Sequence, residues 1–158
     1  MEFGLKTVKS LADRVDNIVA VKDDFVGEFG RRLCLLVHDR WATFSGGLKQ
    51  NHLDVVPYGC DGYLSTFITF QSSVTHAYWK AIETNNLEIV RQIMRDIELP
   101  FWDFLHLLPG TGVGKDGAIH PVYELYGITE RWRRNPYYNL NDEEMEKLAD
   151  FLISKSLL

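Results

Sequence analysis

The sequence contains only two cysteines in 158 residues, and their surroundings exclude most of the chemistry that cysteine supports. Cys34 lies in an apolar run and Cys60 lies beside a glycine, and neither has the paired spacing of a metal site or a redox-active dithiol. The five histidines form no HExxH pattern. We therefore expect two buried thiols, no metal site and no cofactor.

Long apolar runs and an excess of positive charge are also absent. No stretch reaches the roughly 20 uninterrupted apolar residues that a membrane-spanning helix needs, and the first ten residues do not resemble a signal peptide. A formal charge of -5 argues against nucleic acid as a partner, because phosphate is bound chiefly by clustered Lys and Arg. The composition predicts a cytoplasmic globular protein with a substantial core.

The first part of the chain alternates between helical and extended patterns. Extended runs cover residues 18–21, 41–44 and 62–66, and predicted helices cover residues 6–15, 29–38 and 48–56. Consecutive strand and helix units at this spacing indicate an α/β fold, in which right-handed crossovers produce a parallel sheet.

From residue 72 onward only helical patterns are found. Pro100 is predicted to kink or restart a long apolar helix, because it removes one backbone donor. Asn141 and Glu144 have the spacing of a capping box and predict the start of the last helix. The chain therefore passes from three strand and helix units into a purely helical region.

Lys22 directly follows the first extended run, at the end of the strand where parallel α/β folds collect ligands and catalytic groups. If Val19 and Val21 face the covering helices, two-residue alternation directs Ile18, Ala20 and Lys22 to the opposite side. Loss of hydration favours the free amine of a lysine, which can attack a carbonyl carbon. The alternative is a lysine that ends a strand and points to solvent beside two aspartates, and position alone leaves both interpretations open.

Two other segments invite functional interpretations. Residues 110–116, GTGVGKD, look like a nucleotide-binding loop, but Pro109 and Asp116 stand where a P-loop requires glycine and Ser or Thr. We expect a loop between helices there. The basic cluster at residues 131–134 could clamp a phosphate or carboxylate, although a solvated or interface-facing turn is the simpler interpretation in an acidic chain.

The three strand ends carry motifs that resemble those of one enzyme family. IVAVKDD, residues 18–24, resembles the sixth-strand segment of the dihydrodipicolinate synthase and N-acetylneuraminate lyase family. FSGG, residues 44–47, is similar to the seventh-strand turn of that family, and GCDGYLST, residues 59–66, is similar to its eighth-strand segment. The helical remainder resembles the C-terminal extension of the family.

This resemblance implies a partial (β/α)8 barrel, with strands six to eight in residues 1–71. Residues 72–158 would then hold the last barrel helix and the helical extension. The implied activity is that of a lyase, an aldolase or dehydratase, in which Lys22 forms a Schiff base with a pyruvate-type or keto-deoxy sugar 2-keto acid. By the same match Ser45, Gly46 and Leu64 line the substrate pocket. A homo-oligomer is expected, because family members are commonly oligomeric.

The sequence also departs from the family pattern. A closed barrel usually needs about 250 residues, so we expect this chain to be part of something larger. The first five strands, with a threonine pair and a proton-relaying tyrosine, are missing, and Tyr63 is a poor substitute because it is expected to face the helices. Gly47 and Leu48 stand where the family often has an acidic residue. The alternative to an enzyme is therefore a non-catalytic half barrel that needs a partner chain.

Overall fold

The structure, a computed structural model, describes residues 2–108 and 119–158. The loop predicted for residues 110–116 lies outside the described residues. The chain divides into two units, Met1–Thr66 and Phe67–Leu158. The predicted division after residue 71 separates the barrel strands from the last barrel helix and the helical extension. It is a different kind of division, and it stays a prediction.

Helices and strands alternate through the first unit. In chain order the elements are α1 (Glu2–Arg14), β1 (Ala20–Asp23), α2 (Gly27–Val37), β2 (Ala42–Ser45), α3 (Lys49–Val55) and β3 (Gly62–Tyr63). A 3-10 turn over Val56–Tyr58 extends α3. The predicted alternation of helix and strand is confirmed, with boundaries that move by a few residues.

The three strands form a parallel sheet in the order β1-β2-β3, as predicted. Lys22 of β1 is in register with Phe44 of β2, and Ser45 of β2 is in register with Tyr63 of β3. Two further backbone bonds, Gly46 N to Asp23 O at 2.9 Å and Leu64 N to Ser45 O at 3.1 Å, lie just beyond the ladder. The carboxyl ends of all three strands are therefore tied together at one edge.

Alternation along β1 places Val21 on the helix side and Lys22 on the exposed side. The predicted directions of Ile18 and Val19 are wrong. Ile18 packs against the cluster built on α2, whereas Val19 is 73% exposed. The reason is that β1 begins only at Ala20, so the two residues before it do not follow the pleat of the strand.

Apolar side chains of α1 cover α2 and the start of β2. The cluster contains Leu5, Val8, Ala12, Phe29, Leu33, Val37 and Trp41, together with Ile18 and Val21. Burial of such side chains is worth about 1.5–3 kcal/mol each, so this contact stabilises the strand that carries Lys22.

The described part of the second unit is helical. Its elements are α4 (Ser72–Glu83), α5 (Leu87–Ile93), α6 (Leu99–Leu107), α7 (Ile119–Leu125) and α8 (Asp142–Ser154). A 3-10 turn over Phe67–Thr69 precedes α4, and a π-helical turn over Met94–Glu98 separates α5 from α6. Across the described residues, no helix has the length and apolarity to cross a membrane.

Two predictions concern helix boundaries in this unit. Pro100 lies in the first turn of α6, directly after the π-helical turn, and Glu98 and Leu99 both keep helical backbone angles, so the hydrogen bonding changes there without a break in the helix. The predicted start of the last helix is confirmed. Asn141 caps α8: its side chain accepts from Glu144 N at 3.0 Å, and Glu144 Oε2 accepts from Asn141 N at 2.8 Å. This reciprocal pair satisfies two backbone donors that would otherwise lack intrahelical partners.

The basic cluster at residues 131–134 is less exposed than a solvated turn would be. Arg131 is only 8% exposed, with Nη1 3.4 Å from Glu124 Oε1 and an ion pair to Asp142. A solvated position is therefore wrong for Arg131, whereas the neighbouring Trp132 is 59% exposed. The interface-facing alternative stays a prediction. The arginine is used to hold the segment between α7 and α8 in place.

Candidate active site

Lys22 is the last residue but one of β1, and its side chain is 41% exposed on the face opposite the helices. Its ammonium pairs with the carboxylate of Asp24, which is also exposed. The structure agrees in part with each of the two interpretations of Lys22. The amine lies on the sheet face where a substrate could lie, and it is also exposed to solvent beside an aspartate.

The turn after Lys22 is organised by the buried carboxylate of Asp23. It accepts hydrogen bonds from Phe25 N at 2.8 Å and Val26 N at 3.0 Å, which are the backbone donors at the start of α2. Val26 has φ 44°, a conformation that costs a β-branched residue energy and that often accompanies functional sites. The two successive aspartates therefore point to different sides, with Asp23 inward and Asp24 toward Lys22.

Gly46 lies at the carboxyl end of β2 and is buried. A Cβ atom at this position would overlap Oδ1 of Asp24 and lie 3.0 Å from its Cγ. The structure therefore brings Gly46 close to the ion pair of Lys22, as expected for a residue of the same site. Only glycine leaves room for the observed position of Asp24.

Leu64 follows β3 directly and is 51% exposed. Its backbone N–H donates to Ser45 O, so its position at the strand edge is fixed by the sheet. Lys22, Gly46 and Leu64 thus lie at the carboxyl ends of three adjacent strands. The roles predicted for Gly46 and Leu64 toward a substrate stay predictions.

The Ser45 side chain does not lie with these residues. Register pairs Ser45 with Asp23 and Tyr63, which places its hydroxyl on the helix side of β2, whereas Lys22 is in register with Phe44. Ser45 is 1% exposed, and none of the described residues hydrogen-bonds its Oγ. At the edge near Lys22, Ser45 offers only its backbone carbonyl.

Three residues at or near this edge were missed by sequence reasoning. Asp24 contacts Lys22, Phe44 shares the face of Lys22 through the strand register, and Lys49, the first residue of α3, is fully buried. Asp24 could have been found from its spacing of two residues from Lys22 on a turn. The other two depend on register and packing.

Tyr63 faces the helices, as predicted, and stacks on His52 of α3 with ring centroids 4.9 Å apart. Burial lowers the pKa of His52 to about 4. Its ring is therefore neutral at pH 7. The pair belongs to the layer beneath the sheet and not to the face of Lys22.

The cysteines also lie beneath the sheet. Cys34 is 3% exposed, which confirms its interpretation as a buried thiol, and burial raises its pKa. Cys60 is only partly buried, contrary to prediction, with Sγ donating to Gly62 O at 3.2 Å. Within residues 2–108 and 119–158, no group of three His, Cys, Asp or Glu side chains is arranged to hold a metal ion.

The sequence of the chain matches a known protein family. The model of the dihydrodipicolinate synthetase family matches residues 1–155. The chain belongs to the dihydrodipicolinate synthetase family. The resemblance noted in the strand-end motifs is thereby confirmed.

Two curated proteins that are similar to this chain are named as dehydratases. The chain is 27% identical over 150 residues to a probable 5-dehydro-4-deoxyglucarate dehydratase of Variovorax paradoxus, covering 90% of this chain and 47% of that protein. It is 29% identical over 156 residues to the 5-dehydro-4-deoxyglucarate dehydratase of Pseudomonas putida, covering 94% of this chain and 49% of that protein. The chain thus spans about half the length of the relatives it matches.

Solved dihydrodipicolinate synthases share the fold. The enzyme of Thermotoga maritima superposes with a TM-score of 0.75 at 20% identity over 98% of this chain and 51% of that one. The enzyme of Oceanobacillus iheyensis gives a TM-score of 0.76 at 19% identity, over 97% and 51% respectively. The fold is therefore a partial (β/α)8 barrel with a helical extension, as the sequence predicted.

Proposed function

We propose that this chain supplies the imine-forming part of a lyase of the dihydrodipicolinate synthetase family, with Lys22 bonding the carbonyl carbon of a 2-keto acid. One observation carries the proposal. Lys22 lies near the carboxyl end of β1 on the sheet face opposite the helices, 41% exposed, and Gly46 and Leu64 directly follow β2 and β3 at the same edge of the sheet. In (β/α)8 barrels the catalytic residues lie at this end of the strands.

The proposed reaction begins with the free amine of Lys22. A free amine adds to the carbonyl carbon, the resulting carbinolamine loses water, and the iminium that remains withdraws electrons from the adjacent carbon. Loss of a proton from that carbon is then favourable, and elimination of a neighbouring hydroxyl or cleavage of a carbon–carbon bond can follow. Leu64 and Phe44 present apolar surface beside this position, and Gly46, which has no side chain, leaves room for the carboxylate of Asp24.

Dehydration of a sugar-type keto acid is the reaction that the relatives favour. Both curated relatives are named as dehydratases of 5-dehydro-4-deoxyglucarate, which is a keto sugar acid. We therefore place elimination of water ahead of aldol cleavage for the complete enzyme. The imine step at Lys22 is common to both reactions.

Turnover is proposed to need further barrel units. Within the described residues β1 and β3 each pair with a single strand, so both edges of the sheet carry unpaired backbone groups. These units could belong to the same polypeptide or to a partner, and we expect the assembled enzyme to be a cytoplasmic homo-oligomer. The amine proposed to form the imine belongs to this chain, so imine formation is testable on the chain itself.

The test is chemical trapping. The folded chain is incubated with pyruvate and sodium borohydride, which reduces an iminium to a stable amine, and the modified lysine is located by peptide mass mapping. An adduct is expected on Lys22 and not on Lys9, a matched exposed lysine whose Nζ lies 2.9 Å from Asp13 Oδ2. Lys22→Ala should abolish the adduct.

Other outcomes lead to different conclusions. An adduct on the buried Lys49 would transfer the proposed role to that residue. No adduct in a sample whose circular dichroism shows a folded chain would reject the proposal and favour the non-catalytic half barrel.

A further inference from the structure

Two consecutive aspartates follow Lys22, and only one of them engages it. The carboxylate of Asp23 is turned beneath the sheet and is occupied by the backbone N–H groups of Phe25 and Val26. The carboxylate of Asp24 accepts a hydrogen bond from Nζ of Lys22. The side chain of Asp24 is 65% exposed, so it can exchange protons with solvent.

The end of β2 is shaped to accept this carboxylate. A Cβ at Gly46 would overlap Asp24 Oδ1, lie 3.0 Å from Cγ and lie 3.6 Å from Cα. The backbone of Gly46 is itself held by a 2.9 Å bond from its N–H to the carbonyl of Asp23. Asp24 therefore lies between the amine of one strand and the backbone of the next, inside the proposed site.

We propose that Asp24 is a catalytic acid and base for imine formation at Lys22, an inference that rests on the proposed function. The ammonium of Lys22 transfers one proton to the Asp24 carboxylate, and the free amine adds to the keto carbon. The amine proton moves to the former keto oxygen to give a neutral carbinolamine. The carboxylic acid then returns its proton to the carbinolamine hydroxyl, which leaves as water, and Asp24 is again a carboxylate beside the iminium.

The two proton transfers that involve Asp24 need a group that contacts the reacting nitrogen or oxygen. A carboxylate already hydrogen-bonded to Nζ meets this requirement, since a general acid or base must lie within hydrogen-bonding reach of the proton that it moves. The site face offers the Lys22 amine, the apolar residues Phe44 and Leu64, and Gly46, which has no side chain. Among the residues that the structure describes, Asp24 is the ionisable group that hydrogen-bonds to the amine.

The experiment compares two reactions of Lys22 in Asp24→Asn, a substitution that keeps the volume and removes the ionisable oxygen. Trapping with pyruvate and borohydride, at neutral pH, should slow by about 100-fold or more, the order expected for loss of a general acid–base. Trace acylation of Lys22 by acetic anhydride should be no slower, because the lysine stays equally accessible. Asp13→Asn, which removes the partner of Lys9, should change neither reaction at Lys22.

A second variant tests proton transfer directly. In Asp24→Ala, added acetate should restore trapping at Lys22 in proportion to its concentration, because a small carboxylate can occupy the vacated space. A structural role would not be restored in this way.

Each remaining outcome has one meaning. Equal slowing of trapping and acylation would show that Asp24 only positions or exposes Lys22, and unchanged trapping would show that it has no role, so either result overturns the proposal. Absence of any adduct in the unsubstituted chain would instead reject the proposed function, and with it the role of Asp24.

Discussion

The carboxylate of Asp24 occupies the space into which a side chain at Gly46 would project. A Cβ at Gly46 would overlap Oδ1 and lie 3.6 Å from the Cα of Asp24. The two residues belong to the ends of adjacent strands, and the backbone bond from Gly46 N to Asp23 O keeps those ends at a fixed separation. A substitution at Gly46 must therefore move Asp24.

Gly46→Ala is expected to slow borohydride trapping of pyruvate at Lys22, because the new methyl group displaces the carboxylate that contacts Nζ. The measurement is the rate of adduct formation at Lys22 by peptide mapping. The matched control is the same substitution in an Asp24→Ala background. There it should add little, since mutations that act through one interaction are not additive. Full additivity would show that Gly46 acts independently of Asp24.

Asp23→Ala is expected to destabilise the first unit by about 1–2 kcal/mol, because the carboxylate caps the turn before α2 and its loss leaves two backbone donors without their acceptor. Its two oxygens accept from Phe25 N and Val26 N. Urea unfolding, followed by hydrogen exchange in peptides from residues 20–40, gives the free energy. Asp24→Ala is the control, because its exposed side chain bonds no backbone group of the turn, and its unfolding midpoint should stay near that of the unsubstituted chain. Equal loss in both variants would contradict the capping role.

The first unit should become less stable as the pH is lowered, because of His52. Burial lowers the pKa of this folded-state imidazole to about 4, from an ordinary value near 6.5. The unfolded chain therefore binds a proton more readily than the folded chain. The contribution of His52 to the free energy of unfolding is complete above pH 6.5 and is lost progressively as the pH falls toward 4. About 2 kcal/mol of it is lost between pH 7 and pH 5.

Urea unfolding at pH 7 and at pH 5 measures this loss. His52→Phe, which can keep the stack on Tyr63, should remove most of the difference between the two pH values. His76→Gln changes an exposed histidine and serves as the control. If His52→Phe keeps the full pH dependence, other groups cause it.

The sequence was sufficient to predict the order of elements, the parallel sheet and the location of Lys22 at its carboxyl edge. These properties follow from local periodicity and from the handedness of strand–helix–strand connections, which require no knowledge of distant contacts. The capping box at Asn141 was predictable for the same reason, because all its groups lie within four consecutive residues.

The arrangement of the site was less predictable. The side of the sheet on which Ser45 lies depends on its register with Asp23, and the periodicity of one strand cannot fix a register between two. The different directions of Asp23 and Asp24 depend on a turn in which Val26 adopts a positive φ. The ion pair of Arg131 joins residues from separate helical segments, so a basic cluster in the sequence could not reveal its burial.

Arg131→Met should destabilise the second unit by about 2 kcal/mol, because hydrogen bonds to a charged group contribute more to the free energy of unfolding than hydrogen bonds between neutral groups. The Arg131 side chain is 10% exposed and pairs with Glu124 and Asp142, and its loss leaves Glu124, whose side chain is 31% exposed, without this cation. Methionine retains apolar volume beside Trp132, so the charge is the main property removed.

Urea unfolding monitored by hydrogen exchange in peptides from residues 119–158 provides the measurement. Lys147→Met removes one cation of the same charge from the Glu143 pair, in which both side chains are exposed, and should leave the unfolding midpoint unchanged. Equal effects of Arg131→Met and Lys147→Met would mean that burial does not strengthen the Arg131 pairs. A larger effect at Arg131 supports its role in joining the segment after α7 to the start of α8.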